Sequence, residues 1–504
     1  MRIIELRISD FGLRISYCLV LFGALAFSTL GQIPEPGPAK SVKVPAIKET
    51  KLKNGLTVAV VEKHSSPIVT VLLLVKAGAG FEGIEKAGLA NLTADMLTKG
   101  TKTRSAEQIA EETEFLGTSI NTGAGWNSSS VSMTVTTDKL DQAMAIMSDV
   151  IRNPSFKQEE LDLLKSQTLD ELKANLTQPA ALASYTASVY SFGEHPAGGT
   201  PASIAAISRK DLADFHTEAF APGGAVLIFA GDISQAAATS LSTSLFGTWR
   251  NPRPRKEIVQ GLLEAPNSPP QQVKSLPSRI LVVDLAGSGQ ASVTYATPTT
   301  EGRRSVYDVP GSGKVNPMYY DAIVLNSLLG GGYSSRLNQE IRIKRGLSYG
   351  AGSSFGWRES ESIFSTRTQT KNQSAAEVAE LVLGEIRRLA SEPISDTDLG
   401  PRKSVLVGGF GRNIETTAGL AGALADLYTF NIPSGELNRY TTNVTGVSEA
   451  KIRQLAKDQL LRGDIIIVGD YSIFKDDLAK RFPEMKVEVI KASELDITKP
   501  NLKK

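Results

Sequence analysis

Ala225-Val226-Leu227-Ile228-Phe229-Ala230-Gly231-Asp232 and, far downstream, Ile465-Ile466-Ile467-Val468-Gly469-Asp470 are two short apolar runs that end on the same Gly-Asp pair. A run of this length without alternation reads as a strand covered on both faces, and each follows a helical stretch. Outward from these runs one plan recurs. Residues 90–97 predict an apolar-periodic helix ending near Gly100, matched by residues 322–329 running into Gly330-Gly331-Gly332. A second helical stretch and a tryptophan-bearing loop follow in each copy, at Trp126 and Trp357. Next come an alternating strand (131–135 against 363–370), a helix (140–151 against one ending near Leu389) and a break at Pro154 and Pro393. Equivalent positions stay 231 to 239 residues apart, which indicates a duplicated α+β domain.

The joint is the Pro-rich polar stretch 256–277, which includes Pro266, Pro269 and Pro270 and has the character of an extended linker. The expected division is a leader at 1–31, a first domain at 32–255, the linker, a second domain at 278–495 and a tail at 496–504. Arg2, Arg7 and Arg14 precede the apolar run 17–30, and Pro34, Pro36 and Pro38 follow it, the pattern of a secretory signal peptide. That run falls short of the roughly 20 residues a membrane-crossing helix needs. A periplasmic or secreted chain is expected, membrane-associated if the leader stays uncleaved. Cys18 is the one cysteine and lies inside the leader, so the mature chain has no thiol for a disulfide, a thiolate metal site or nucleophilic catalysis. With 55 Lys and Arg against 53 Asp and Glu, the formal net charge of +2 provides no electrostatic case for nucleic acid. The stretch 301–314 reads as an exposed insertion; its Gly311-Ser312-Gly313-Lys314 lacks the spacing and terminal hydroxyl of a phosphate loop.

Leu329-Gly330-Gly331-Gly332-Tyr333-Ser334-Ser335-Arg336-Leu337, followed by Arg342-Ile343-Lys344-Arg345-Gly346-Leu347-Ser348-Tyr349, resembles the Gly-rich turn and arginine-tyrosine motif of the M16 metallopeptidases, the insulinase, pitrilysin and processing-peptidase group. Leu52-Lys53-Asn54-Gly55-Leu56, Gly88-Leu89-Ala90 and His195-Pro196 are similar to first-domain features of the same family. The resemblance implies two tandem domains, each a mostly antiparallel sheet covered by helices. Active members carry His-x-x-Glu-His on the first helix, because residues four apart share a face and bind one zinc while the Glu activates water. This chain has Asn91-Leu92-Thr93-Ala94-Asp95 instead. Both imidazoles are gone, Ala94 takes no proton, and Asp95 is at best a weak ligand. Glu171 falls where the resemblance puts a third ligand, but one carboxylate cannot make the site, and by itself it reads as a surface or helix-pairing residue. His64, His195 and His216 show no ligand spacing and read as structural. No metal is therefore expected on this chain; zinc is expected on a partner subunit with the intact motif, in a heterodimer or larger assembly.

In the second half the resemblance gives Tyr349 the role of stabilising a tetrahedral intermediate and Arg342 that of holding a substrate carbonyl. Without that context the pair reads as a core tyrosine and a solvated helix arginine. Ile343 stands where an acid is common, which puts a local salt bridge in question. The segment 117–123, with Asn121, resembles one leading into an edge strand on which a peptide substrate adds as a further strand, or is a simple turn. Gly330, Gly331 and Gly332 line substrate in one reading and end a helix in the other. The expected function is the non-zinc subunit of a heteromeric zinc endopeptidase, and the competing one is a catalytically inert peptide-binding or structural scaffold.

Overall fold

The two apolar runs become the third strand of two six-stranded sheets in the computed structural model, which describes residues 43–250, 279–304 and 316–504. In the first sheet the strands are β1 (Ile47–Lys51), β2 (Thr57–Glu62), β3 (Ile68–Val75), β4 (Asn121–Ala124), β5 (Ser129–Thr136) and β6 (Ala225–Gly231), ordered β1-β2-β6-β3-β5-β4. In the second they are β7 (Ile280–Asp284), β8 (Ala291–Thr299), β9 (Ala351–Trp357), β10 (Ser362–Thr370), β11 (Asp464–Gly469) and β12 (Val487–Lys491), ordered β12-β7-β11-β8-β10-β9. Every residue of β6 and β11 is buried, as an unalternating run requires. By contrast, β5 and β10 alternate buried and open positions along their lengths.

Both sheets are mostly antiparallel, with a parallel pair at β2–β6 and at β7–β11. They differ at one edge. β1 precedes β2 and runs antiparallel to it, whereas β12 follows the Tyr471–Arg481 helix and lies parallel to β7. The expected α+β duplication is the observed architecture, with expected and observed element ends agreeing within a few residues. The leader, the linker and most of the 301–314 insertion lie outside the described residues. The segment expected as a tail at 496–504 turns back: Leu495 bridges Lys503, and Leu502 is fully buried beside Leu182 and Ile490.

One face of each sheet is covered by its own helices, Leu89–Met96 and Leu140–Arg152 in the first half and Pro317–Leu329 and Ala375–Ser391 in the second. The opposite faces are exchanged. Helix Thr417–Thr429 of the second half lays Leu420, Leu424 and Leu427 on Ala59, Val61, Ile228 and Ala230 of the first sheet. Helix Pro179–Tyr190 of the first half lays Leu182, Ala183 and Ala187 on Val283, Ala296, Ile466 and Val468 of the second. Both helices are rich in alanine, which lets a helix approach a pleated surface closely, and each fully buried Leu contributes about 1.5–3 kcal/mol. Polar contacts join the same surfaces: Thr70 Oγ1 donates to Thr417 Oγ1 at 2.8 Å, and the Tyr428 hydroxyl donates to Glu49 Oε1 at 2.7 Å. The tryptophan loops meet as well. Arg358 donates to Glu194 through Nε at 2.7 Å and Nη2 at 2.6 Å, with its guanidinium 4.6 Å from the Trp126 ring centroid, while Asn127 Nδ2 donates to the Trp357 carbonyl at 2.8 Å. The described residues accordingly form one compact unit. No helix among them is long and apolar enough to cross a membrane.

Candidate functional site

The helix that carries the altered zinc motif, Leu89–Met96, starts from Gly88 at φ +93°, where a Cβ would also come within 2.6 Å of Ile204 Cδ1. No side chain at the cap position satisfies its first amides. Glu82 does so from six residues upstream: its two carboxylate oxygens accept from the Gly88 and Ala90 amides at 2.6 Å each. The side chain is fully buried, and burial pushes its pKa up to about 7 against the opposing pull of those amides. His195 closes the same corner. Its Nε2 lies 3.1 Å from the Ala79 carbonyl, its Nδ1 lies 4.0 Å from Glu82, and its ring packs on Trp126 at 5.1 Å between centroids. Nothing in the sequence flagged Glu82, because its spacing to the helix is not that of a capping box.

Along that helix, Asn91 donates through Nδ2 to the Ala197 carbonyl at 2.8 Å, and Ala94 is fully buried. Asp95 is open to solvent, yet desolvation by its neighbours raises its pKa; Lys99 opposes the rise and the charge of Glu171 adds to it. Glu171, on helix Gln158–Asn175, is felt as a charge by Asp95 and also raises the pKa of Tyr185, where burial is the larger cause. The donor set does not fit zinc. It consists of two carboxylates and an amide already committed to a carbonyl, with no imidazole or thiolate and no base at position 94. Among the described residues, no three His, Cys, Asp or Glu side chains form a group that could hold a metal ion. The remaining histidines are placed elsewhere. His64 pairs with Asp232 at 2.6 Å. His216 stacks on Phe220 at 5.0 Å and meets the Ile151 carbonyl at 2.8 Å, and burial holds its pKa down.

In the second half the Gly-rich turn splits into three cases. A Cβ on Gly330 would sit 2.3 Å from the Ser353 amide of β9, and one on Gly331 would sit 2.8 Å from Ser327 Cα, so both glycines permit close packing of the helix end. Gly332 faces open space. Beyond it, residues Asn338–Ile343 form a widened π turn, in which the Lys344 amide donates to Gln339 five residues back. Glu340 pairs with Lys344 at 2.7 Å and with Arg345 at 2.6 Å, so the local ion pairs form without an acid at Ile343, which is 45% exposed. Arg342 lies over the Tyr333 ring at 4.8 Å. Tyr349 is no core aromatic: it is 92% exposed and stands at a cleft of about 360 Å³.

That cleft lies between helix Pro179–Tyr190 and the open face of the second sheet, and Ser292, Thr294, Ser365 and Arg367 contribute to its lining. The duplication places a counterpart of about 500 Å³ beside the first sheet, where Thr70, Leu72, Ser132 and Asn121 meet Ala418 of the exchanged helix. Asn121 opens β4, which is an edge strand. The structure thus sets Tyr349 and Asn121 in equivalent clefts. Arg342 and the three glycines line neither of these clefts.

Comparison with known proteins agrees with this geometry. Residues 57–194 match the family model described as insulinase (peptidase family M16), and residues 206–405 match the one described as the peptidase M16 inactive domain. A Mycobacterium tuberculosis protein named as an uncharacterized zinc protease is 26% identical over 391 residues, 77% of this chain and 84% of that protein. The fold is similar to that of a peptidase M16 inactive domain from Pseudomonas fluorescens, with TM-score 0.73 and 22% identity over 84% of this chain and 98% of the other. It is similar also to a protease from Helicobacter pylori, with TM-score 0.74 and 20% identity over 85% and 100%. With two models of the one family matching 57–194 and 206–405, this chain belongs to the M16, or insulinase, peptidase family.

Proposed function

We propose that this chain is the non-zinc subunit of a heteromeric M16 endopeptidase, completing a site whose metal and general base come from a partner with an intact His-x-x-Glu-His motif. The observation that carries the reading is the exposure of Tyr349, a large aromatic left 92% open at a cleft mouth while the zinc positions hold Asn91, Ala94 and Asp95. Placement at a cleft that also presents serine, threonine and arginine side chains leaves the phenol free to meet something that arrives. The phenol donates a hydrogen bond to the oxygen that gains charge during peptide cleavage, and the Arg342 guanidinium orients a substrate carbonyl. The contact of Arg342 with Tyr333 is worth roughly 0.5–1 kcal/mol at such an exposed site, little enough to be exchanged for substrate. The edge strand β4 offers unpaired backbone on which an extended peptide adds. Export follows from the basic and apolar leader, and N-terminal sequencing of the mature chain tests it.

The functional test is reconstitution with a zinc-bearing partner, followed by peptide cleavage. Tyr349→Phe lowers kcat by roughly 100-fold, the usual effect of deleting one oxyanion donor; an unchanged rate would overturn the assignment. A scaffold without catalytic contribution is the second reading, favoured by the packing roles of Gly330 and Gly331 and by Arg342 resting on Tyr333. It requires the Arg342→Ala/Tyr349→Phe double variant to assemble and leave cleavage untouched.

A further inference from the structure

The cleft behind Tyr349 has a chemistry of its own. Arg367 lies on β10 opposite Gly352 of β9 and contributes to the lining of this cleft. Arg367 is exposed, its guanidinium makes no ion pair or hydrogen bond among the described residues, and no Asp or Glu lines the cleft. Ser292 and Thr294 of β8 are only 3% and 4% exposed, and neither hydroxyl has a hydrogen-bond partner among the described residues. Both hydroxyl oxygens still reach solvent, so with the exposed Arg367 guanidinium they form a hydrogen-bonding wall that holds no acid. The counterpart cleft of the first half has the opposite character: Glu114 lines it and no Lys or Arg does.

We propose that the cleft between helix Pro179–Tyr190 and strands β8 and β10 is a carboxylate-recognising subsite, in which Arg367, Ser292 and Thr294 anchor an acidic peptide with its chain passing Tyr349. A guanidinium takes a carboxylate through two parallel N–H donors, and neighbouring hydroxyls supply further bonds. The carboxylate belongs to an Asp or Glu side chain or to a peptide C-terminus. The proposal rests on the functional reading above for the ligand being a peptide, and it adds a substrate class to that reading.

The experiment measures fluorescence anisotropy of the intact chain, without partner or metal, against four labelled decapeptides: one with a single Glu, its Gln counterpart, and each with a free or amidated C-terminus. The acidic ligand binds at least about tenfold more tightly than its neutral counterpart, as expected for a charge-assisted bidentate contact. Loss on Glu→Gln assigns the side chain, and loss on amidation assigns the terminus. Arg367→Gln erases the preference without changing affinity for the doubly neutral peptide, while Arg367→Lys keeps part of it. Equal affinity for all four peptides, a preference that survives Arg367→Gln, or no binding at millimolar peptide overturns the proposal. Cleavage by the reconstituted pair separates the two claims. A pair that cleaves while Arg367→Gln keeps the acid preference sinks the subsite alone; an inert pair with an Arg367-dependent preference sinks the catalytic role alone.

Discussion

The two halves of this molecule share a plan and differ in where their motif residues stand. In the first, the 89–96 helix is held in place by Glu82, which satisfies its first amides, while Asn91, Ala94 and Asp95 on it offer no zinc ligand set. In the second, the motif residues project outward, with Tyr349 and Tyr333 both mostly exposed. Side chains that hold a helix and side chains that bind a metal are separate sets, so the architecture stands without a ligand set. The clefts repeat the contrast, one lined by Glu114 and the other by Arg367.

The contrast can be broken most severely where the halves meet. Arg358 and Glu194 are each 12% exposed and paired through two hydrogen bonds. Arg358→Ala leaves Glu194 buried without a partner and lowers stability by about 3–5 kcal/mol in chemical denaturation, whereas an apolar pair at both positions recovers most of that loss. Leu424→Ala and Leu182→Ala, one on each exchanged helix, each cost about 2–5 kcal/mol. Because either helix covers the other half's sheet, both variants shift a single calorimetric transition; two separated transitions would show that the halves unfold independently.

Glu82 gives a pH signature confined to the first half. Its folded pKa of about 7 exceeds the ordinary 4.5, so the folded state binds more protons in between and stability falls as pH rises from about 4.5 to 7. The contribution is roughly 3 kcal/mol by linkage. Glu82→Gln removes this slope. Buried His216, with its lowered pKa, acts oppositely, losing stability as pH falls, so the difference between wild type and Glu82→Gln is the quantity to measure. Within the second half, Gly330→Ala forces a Cβ against the β9 backbone and costs about 1–3 kcal/mol, while Gly332→Ala meets open space and changes stability by no more than about 0.5 kcal/mol. Equal losses at these two glycines would refute the division of the turn into packed and free positions.

Much of this was legible in the chain itself. The unalternating runs at Ala225 and Ile465, the alternation of β5 and β10 and the residues replacing the imidazoles are properties of a few neighbouring residues, and periodicity or identity reports them directly. Tertiary structure alone decided which helix covers which sheet, that Glu82 rather than a cap residue serves the 89–96 helix, that Tyr349 stands in solvent, and that Arg367, Ser292 and Thr294 share one wall of a cleft without acids. The exchanged helices read only as apolar, alanine-rich segments because such a composition specifies burial and not a partner. Partners separated by more than 160 residues, such as Arg358 and Glu194, meet only after both sheets have formed and each has left one face for the other half to bury.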